Sequence, residues 1–249
     1  MGRGSAHRPG EVPVPPLLVP PVVRQIVNKQ SDALSGNTWP LAPGASAPQV
    51  EDARLHSPSA ARNRDAILAV LRRVLPSRGI VLEIASGTGE HVVHFAAGLP
   101  GLTFQPSDPD AFHRASVDAR VRHSCLPNIR AALDLDTTWR TWPIAAADAV
   151  FCSNMIHIAP WLAALGLIAG AAQLLSQGGS LFLYGPFQHG GQHSAESNLM
   201  FDAYLKSRDA DWGVRDLEIV AAEAARAGFA APEITAMPAN NLLVMFRRK

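Results

Sequence analysis

Val81-Leu-Glu-Ile-Ala-Ser-Gly-Thr-Gly-Glu-His91 is the stretch on which the fold of this chain turns. Ile80 to Ile84 reads as a buried strand. Gly87 and Gly89 then break it, and the residues from Glu90 onward open a helix. A glycine turn leaving a strand lets the backbone approach a ligand, and the helix start behind it offers free N–H groups. A dinucleotide site wants G-x-G-x-x-G directly after the strand. Here the third glycine position is Val92, and an acidic residue, Glu83, sits inside the strand end. Taken alone, the turn is also compatible with an ordinary tight strand-to-helix connection.

The next element raises the odds of a ligand site. Leu102-Thr-Phe-Gln-Pro-Ser-Asp108 reads as a second strand ending in an acid, about 20 residues beyond the turn. A carboxylate at that strand tip can accept hydrogen bonds from both hydroxyls of a ribose. Asp108 therefore points to an adenosine-containing cofactor. Its bland alternative is a helix N-cap, since Asp108-Pro109-Asp110 also looks like a helix start.

Working outward, the segment from Ala60 to Leu75 places Ile67, Leu68, Leu71, Val74 and Leu75 on one face of an amphipathic helix. After strand one and a helix over 89–98 come strand two (102–107) and a helix over about 110–122. Asn128 to Leu133 reads as strand three, ending at Asp134, and Asp148 to Cys152 as strand four. A helix follows over 160–175, and Gly178-Gly179 turns the chain into strand five, Ser180 to Tyr184. A polar loop and helix (about 186–209), a helix over 216–228 and two short strands around 232–236 and 241–247 complete the chain. Strands alternating with helices, and apolar almost throughout, predict an α/β fold with a mostly parallel sheet covered on both faces.

Length and composition set the limits. With 249 residues the chain accommodates one α/β domain over 51–249 and an appendage. Residues 1–50 hold nine of the 20 prolines and read as an extended or disordered arm. The arm's apolar stretch, Leu17 to Val27, could dock on the domain or join two copies as a homodimer; a mis-assigned start is an equal reading. A net charge of +1 leaves no electrostatic footprint for nucleic acid. No stretch reaches the roughly 20 apolar residues that span a bilayer. Two cysteines, Cys125 and Cys152, suggest no disulfide framework and a cytoplasmic location. Neither hydrolase nor zinc motifs occur, and His91 and His94 lack a third metal ligand nearby, so no metal is expected.

The arrangement Glu83-x-x-x-Gly87-x-Gly89 resembles the first motif of class I S-adenosylmethionine-dependent methyltransferases. In that family the turn wraps the methionine moiety of the cofactor, and glycine usually stands where Ala85 does here. The resemblance extends through Ala61-Arg-Asn63-Arg-Asp65, Gln105-Pro-Ser-Asp108, Asn154-Met-Ile-His157-Ile, Tyr184-Gly-Pro-Phe187, Trp212-Gly-Val-Arg-Asp216 and Met237-Pro-Ala-Asn-Asn241. In that order the phrases are similar to those of the methyltransferase-like protein twenty-six family, over about residues 54–248. The resemblance implies a Rossmann-like, seven-stranded sheet of order 3-2-1-4-5-7-6, with a terminal antiparallel pair.

It also implies S-adenosyl-L-methionine as cofactor, held by Glu83, Ala85, Gly87, Gly89 and Asp108. Asp134 would meet the adenine, with Asp136 as a competitor, and Arg62 and Asn63 would close over the donor. Asn154 and His157, polar residues at the carboxyl end of strand four, point into the cleft of such a fold. Asn154 suits the amino-acid end of the cofactor or the substrate. His157 or Tyr184 is the candidate general base, against the alternative that His157 is a satisfied structural histidine. Trp161, Phe187, His193 and Asn198 would line a small-molecule substrate site, although Ser194 or Ser197 could simply cap a surface helix there. The expected activity is methyl transfer to a small molecule. An intramolecular displacement releasing methylthioadenosine, a non-catalytic binding or scaffold role and, least favoured, an NAD-dependent oxidoreductase remain as alternatives.

Overall fold

Apolar residues spaced by two along each strand form two hydrophobic clusters, one on either face of the central sheet. The computed structural model describes residues 53–249; the proline-rich arm and any dimer contact through it lie outside the described residues. A first helix, α1 (Pro58–Val74), starts from Ser57, whose hydroxyl accepts the Ala60 N–H, with Pro58 at the first helical position. Then follow β1 (Gly79–Ile84), α2 (Glu90–Gly98), β2 (Leu102–Pro106), α3 (Ala111–Ser124) and β3 (Ala147–Ser153). A short 3-10 turn, Met155–His157, leads to α4 (Trp161–Leu174) and β4 (Leu175–Gly185). A two-stranded hairpin, β5 (Gln188–His189) with β6 (Gln192–His193), precedes α5 (Glu196–Arg208) and α6 (Leu217–Arg226). The last strands are β7 (Glu233–Met237) and β8 (Asn241–Arg247).

The sheet order is β2-β1-β3-β4-β8-β7. β2, β1, β3 and β4 are parallel, whereas β8 runs antiparallel to both β4 and β7. Val81, Phe151 and Phe182 face α1 and α2 on one side; Leu82, Val150 and Leu181 face α4 and α6 on the other. The parallel α/β sheet with its antiparallel end is therefore as expected, but it has six strands, not seven. The predicted third strand, 128–133, makes only two isolated bridges to the β2 edge, Phe104 with Ile129 and Ser107 with Leu133. Side chains interrupt the ladder between them: Gln105 Nε2 donates to the Ala131 carbonyl and Asp118 accepts the Ala132 N–H. β4 begins at Leu175, earlier than expected, but its pairing with β3 breaks across Gly178-Gly179, where Gly178 is left-handed (φ 82), and the continuous ladder runs from Ser180 to Tyr184.

Because β1 to β4 are parallel, their carboxyl ends share one edge of the sheet. From β1 the chain runs outward to β2 and later returns to β3 on the other side. The crevice between the β1 and β3 tips is the topological switch point at which such sheets bind ligands. A cavity of about 280 Å³ lined by Arg72, Pro76, Gly98 and Leu102 opens at the opposite, amino-terminal end of β1 and β2, away from that crevice.

Candidate functional site

The turn after β1 is held by the neighbouring strand tip. Ser86 donates its N–H to the Ser107 carbonyl, Ser107 donates its own to Ser86 Oγ, and Ser107 Oγ donates to the Glu83 carbonyl. The Asp108 carboxylate, 3% exposed, accepts the N–H of Gly87 at 2.9 Å and that of Asp110 at 2.9 Å. Asp110, not Asp108, caps α3. Gly87 and Gly89 both have left-handed backbones (φ 55 and 79). A Cβ at Gly89 would strike Val117 of α3, whereas one at Gly87 would have only the Ala85 carbonyl within 4.0 Å. Gly89 is thus needed for packing and Gly87 leaves room at the turn. Ala85 also sits in the left-handed region (φ 54), where the resembled family has glycine.

Glu83 is the electrostatic anomaly of the molecule. Its side chain is buried, on the face that carries Phe151, and its Oε2 atom has no hydrogen-bond partner. Burial, reinforced by the Asp108 charge and only partly opposed by Ser86, pushes its carboxyl up to about 8. A buried acceptor without a donor is costly, so a ligand supplying one finds a ready position. Burial likewise drives the Cys152 thiol to about 12, which makes it an inert core thiol.

Above this face, Asn63 of α1 links two other polar groups. Its Oδ1 lies 2.7 Å from His91 Nε2, and its side chain acts on the Tyr184 hydroxyl, partly offsetting the effect of burial there. Burial raises the Tyr184 pKa, so the phenol stays protonated. His91 stacks on Phe95 and meets Phe151 edge-on. Burial lowers its pKa to about 4, leaving it neutral.

A second device missed in the sequence is Glu90, in the first turn of α2. Its carboxylate accepts from Ser57 N–H, contacts His56 Nδ1 at 2.7 Å and pairs with Arg120. Arg120 also bonds the carbonyls of Thr88 and Leu55, and Leu55 donates to Ser116 Oγ. Residues 55–57 are thereby strapped beside the glycine turn. An acid opening a helix is the only sequence signal for this arrangement.

At the β3 tip, Asn154 has a left-handed backbone (φ 60) and receives the turn that carries His157. His157 is fully buried. Its Nδ1 accepts the Arg215 N–H at 3.2 Å, which places the ring proton on Nε2, and Nε2 has no partner. A Cβ at Gly185 would come within 2.6 Å of that atom. Burial and the Arg215 charge lower the His157 pKa to about 3. As placed, His157 offers a hydrogen-bond donor rather than a free base. Arg215 also donates to the carbonyls of Ile156, Ala159 and Asp211 and lies over the Trp161 ring at 5.6 Å. Phe187, buried, meets His157 edge-on.

The remaining expected residues divide. Asp134 is exposed near the β2 edge and pairs with Arg114, whereas Asp136 spends a carboxylate oxygen on Thr138. Arg62 is exposed on α1. Asn198 is buried and donates to Ser194 Oγ and to the Asn240 carbonyl, tying α5 to the β7–β8 turn. Neither Ser194 nor Ser197 caps α5; its N-cap is Ala195. His193 faces Asp202 of α5. Among the described residues, no group of three or more histidines, cysteines or acids could hold a metal ion.

Residues 54–248 match the family described as "Protein of unknown function (DUF938)". The chain belongs to this family. Solved structures place the DUF938 chain in the class I methyltransferase fold. It is similar to an O-methyltransferase family protein from Burkholderia thailandensis, with a TM-score of 0.63 and 18% identity, over 75% of this chain and 58% of that one. An O-methyltransferase family 2 protein from Planctomyces limnophilus in complex with apigenin gives 0.66 and 16%, over 83% and 63%. Human N-acetylserotonin methyltransferase in complex with SAM gives 0.58 and 15%, over 74% and 54%. The DUF938 chain thus spans little more than half the length of several structures that it matches. Among its described residues no helix is long and apolar enough to cross a membrane.

Proposed function

We propose that this chain transfers a methyl group from S-adenosylmethionine to a small-molecule acceptor. The observation that carries the reading is the orphaned Glu83 carboxyl oxygen beside the Gly87–Gly89 turn and the Asp108 carboxylate. The donor's charge and shape fit this site: its ammonium would supply Glu83 with the missing partner, and Gly87 leaves room beside the turn. Asp108 would accept the ribose hydroxyls, Asp134 the adenine amino group, and Ala85 and Asn154 would flank the methionine end. Arg62 and Asn63 would cover the donor from α1. Tyr184, kept as the phenol, and neutral His157, with its ring proton on Nε2, would orient the acceptor as donors, with Trp161, Phe187, His193 and Asn198 forming its surroundings.

When bound, the donor supplies an already activated methyl group on a sulfonium. The protein's work is then alignment and exclusion of water. The class I fold of its structural neighbours supports this reading, as does the resemblance of its short phrases to those of the methyltransferase-like protein twenty-six family. The proposal includes a separate arm over 1–50, through which a homodimer could form, a cytoplasmic setting, and no nucleic-acid, membrane or metal partner.

Calorimetric titration of the full chain with S-adenosylmethionine, S-adenosylhomocysteine and NAD tests the reading. Micromolar binding of the two adenosyl compounds, weakened at least tenfold in Asp108→Asn, is expected. Binding of NAD alone, or of none of them, would sink it. Product analysis then separates methyl transfer, which yields S-adenosylhomocysteine, from release of methylthioadenosine.

A further inference from the structure

Neither His157 nor Tyr184 presents a lone pair ready to take a proton, yet a second histidine nearby has the geometry for it. We propose that His193, oriented by Asp202, is the proton acceptor of the substrate site, and that the acceptor carries a weakly acidic hydroxyl. This rests on the methyl-transfer reading and names the substrate class of that same site.

Asp202 lies on α5 and is 4% exposed. Its Oδ1 accepts the Val214 N–H at 2.8 Å and its Oδ2 the Lys206 ammonium at 2.6 Å. Burial alone would raise its pKa, but Lys206, the Val214 N–H and His193 outweigh burial and hold it below the usual carboxylate range. The charged Oδ2 faces His193 Nε2 at 3.5 Å. A carboxylate opposite one ring nitrogen selects the tautomer with the proton on that nitrogen, which leaves the other as a lone pair. The Gln188 side-chain nitrogen lies 3.1 Å from the same Nε2. Turning that amide over puts its oxygen there, so both neighbours accept from Nε2–H.

His193 Nδ1 is then the lone-pair nitrogen, and it is buried without a partner. Buried polar atoms in folded proteins are nearly always satisfied, so a partner arriving with a ligand is the physical expectation. The dyad adjoins the rest of the site. Gly213, which donates to the His157 carbonyl, is so close to Asp202 that an added Cβ would come within 2.9 Å of Oδ1. Lys206 and Arg215 both act on Asp202 electrostatically. Two cations there disfavour an ammonium-bearing acceptor and favour one that develops negative charge on oxygen.

The step is a proton transfer. The O–H bond of the acceptor breaks, its proton forms the Nδ1–H bond, and the electron pair stays on the oxygen, which becomes the nucleophile. The resulting imidazolium is paired with Asp202 until it returns a proton to water. Asp202 is a positioning residue in this scheme, because it acts through His193.

The test is nitrogen-15 NMR of the full chain labelled at histidine, with the His193 ring signals assigned by their loss in His193→Gln. The expected result is an Nε2–H tautomer in the wild-type protein and a mixed or inverted tautomer in Asp202→Asn. Phenol, added as the probe hydroxyl, should move the Nδ1 resonance without moving that of Nε2 by as much. An Nδ1–H tautomer in the wild-type protein, or no response of Nδ1 to phenol, overturns the proposal. The tautomer requires no bound donor and is read in the donor-free chain, whereas donor binding is read by calorimetric titration of the wild-type protein. Failure of the dyad is therefore distinguishable from failure of methyl-donor binding.

Discussion

A carboxyl that titrates near 8 holds its proton at neutral pH, and this makes Glu83 the residue whose chemistry can be read without knowing the acceptor. An ammonium placed against Oε2 would ionise it, so cofactor binding should release a proton. We expect the binding heat at pH 7 to vary with the ionisation enthalpy of the buffer, an effect that fades as the pH rises past 8 and is absent in Glu83→Gln. A buffer-independent heat would show that the donor's charge does not meet this carboxyl. The linkage to folding has a definite sign. The folded pKa lies above the ordinary 4.5, so Glu83's contribution to stability is complete below 4.5 and is lost as the pH climbs towards 8. Ala85 permits a second prediction. A left-handed backbone costs a residue with a Cβ about 1–2 kcal/mol, and glycine gives back part of that through unfolded-state entropy. Ala85→Gly should therefore stabilise the fold by about 0.5–1 kcal/mol in denaturant unfolding, and a loss of stability would mean that the methyl group packs.

Among the elements, α2 does more than cover the sheet, because its first residue also anchors the entry into α1. Removing the Glu90 carboxylate strips the acceptor from Ser57 N–H and leaves Arg120 one partner fewer. We expect Glu90→Ala to speed hydrogen exchange over residues 55–61, to cost about 1–3 kcal/mol, and to weaken S-adenosylmethionine binding through Asn63, which the same helix carries. Unchanged exchange would assign the strap to Ser116 and Arg120 acting on Leu55. The segment after α3 shows the opposite case, an element that sequence favoured and structure withheld. Asn128 to Leu133 reads as a strand in the sequence, but Gln105 and Asp118 occupy backbone groups that a ladder would have used.

For the molecule as a whole, the two histidines buried in neutral form set its response to acid. Folding depresses His91 to about 4 and His157 to about 3, in each case chiefly by burial, from an ordinary 6.5. Their stabilisation is full above 6.5 and is lost as the pH falls towards the folded values. Each tenfold loss of proton affinity on folding corresponds to about 1.4 kcal/mol, so the pair outweighs the opposing trend of Glu83. Thermal unfolding should show the melting temperature falling from pH 6.5 to pH 4, with a shallower fall in His91→Gln, which keeps a donor for Asn63. A melting temperature flat across that range would place solvent at one or both rings.

Local pattern determined the order of the elements apart from the withheld strand over 128–133 and the β5–β6 hairpin, together with the glycine turn and the acid just beyond β2. Each depends on residues near one another in the chain: apolar runs, helix caps and breaks in a strand. The crevice between the β1 and β3 tips followed once those strands were taken as parallel. What the tertiary structure alone decided was the protonation and orientation of the polar groups gathered there. Whether His157 offers a lone pair or a proton depends on Arg215, 58 residues away in the chain. Whether Asn198 faces a substrate or ties down a turn depends on Asn240. The orphaned oxygen of Glu83 exists only because Phe151 and its neighbours exclude water from one side of the sheet. Burial and long-range hydrogen bonding are properties of three-dimensional neighbours, and a pattern along the chain does not contain them.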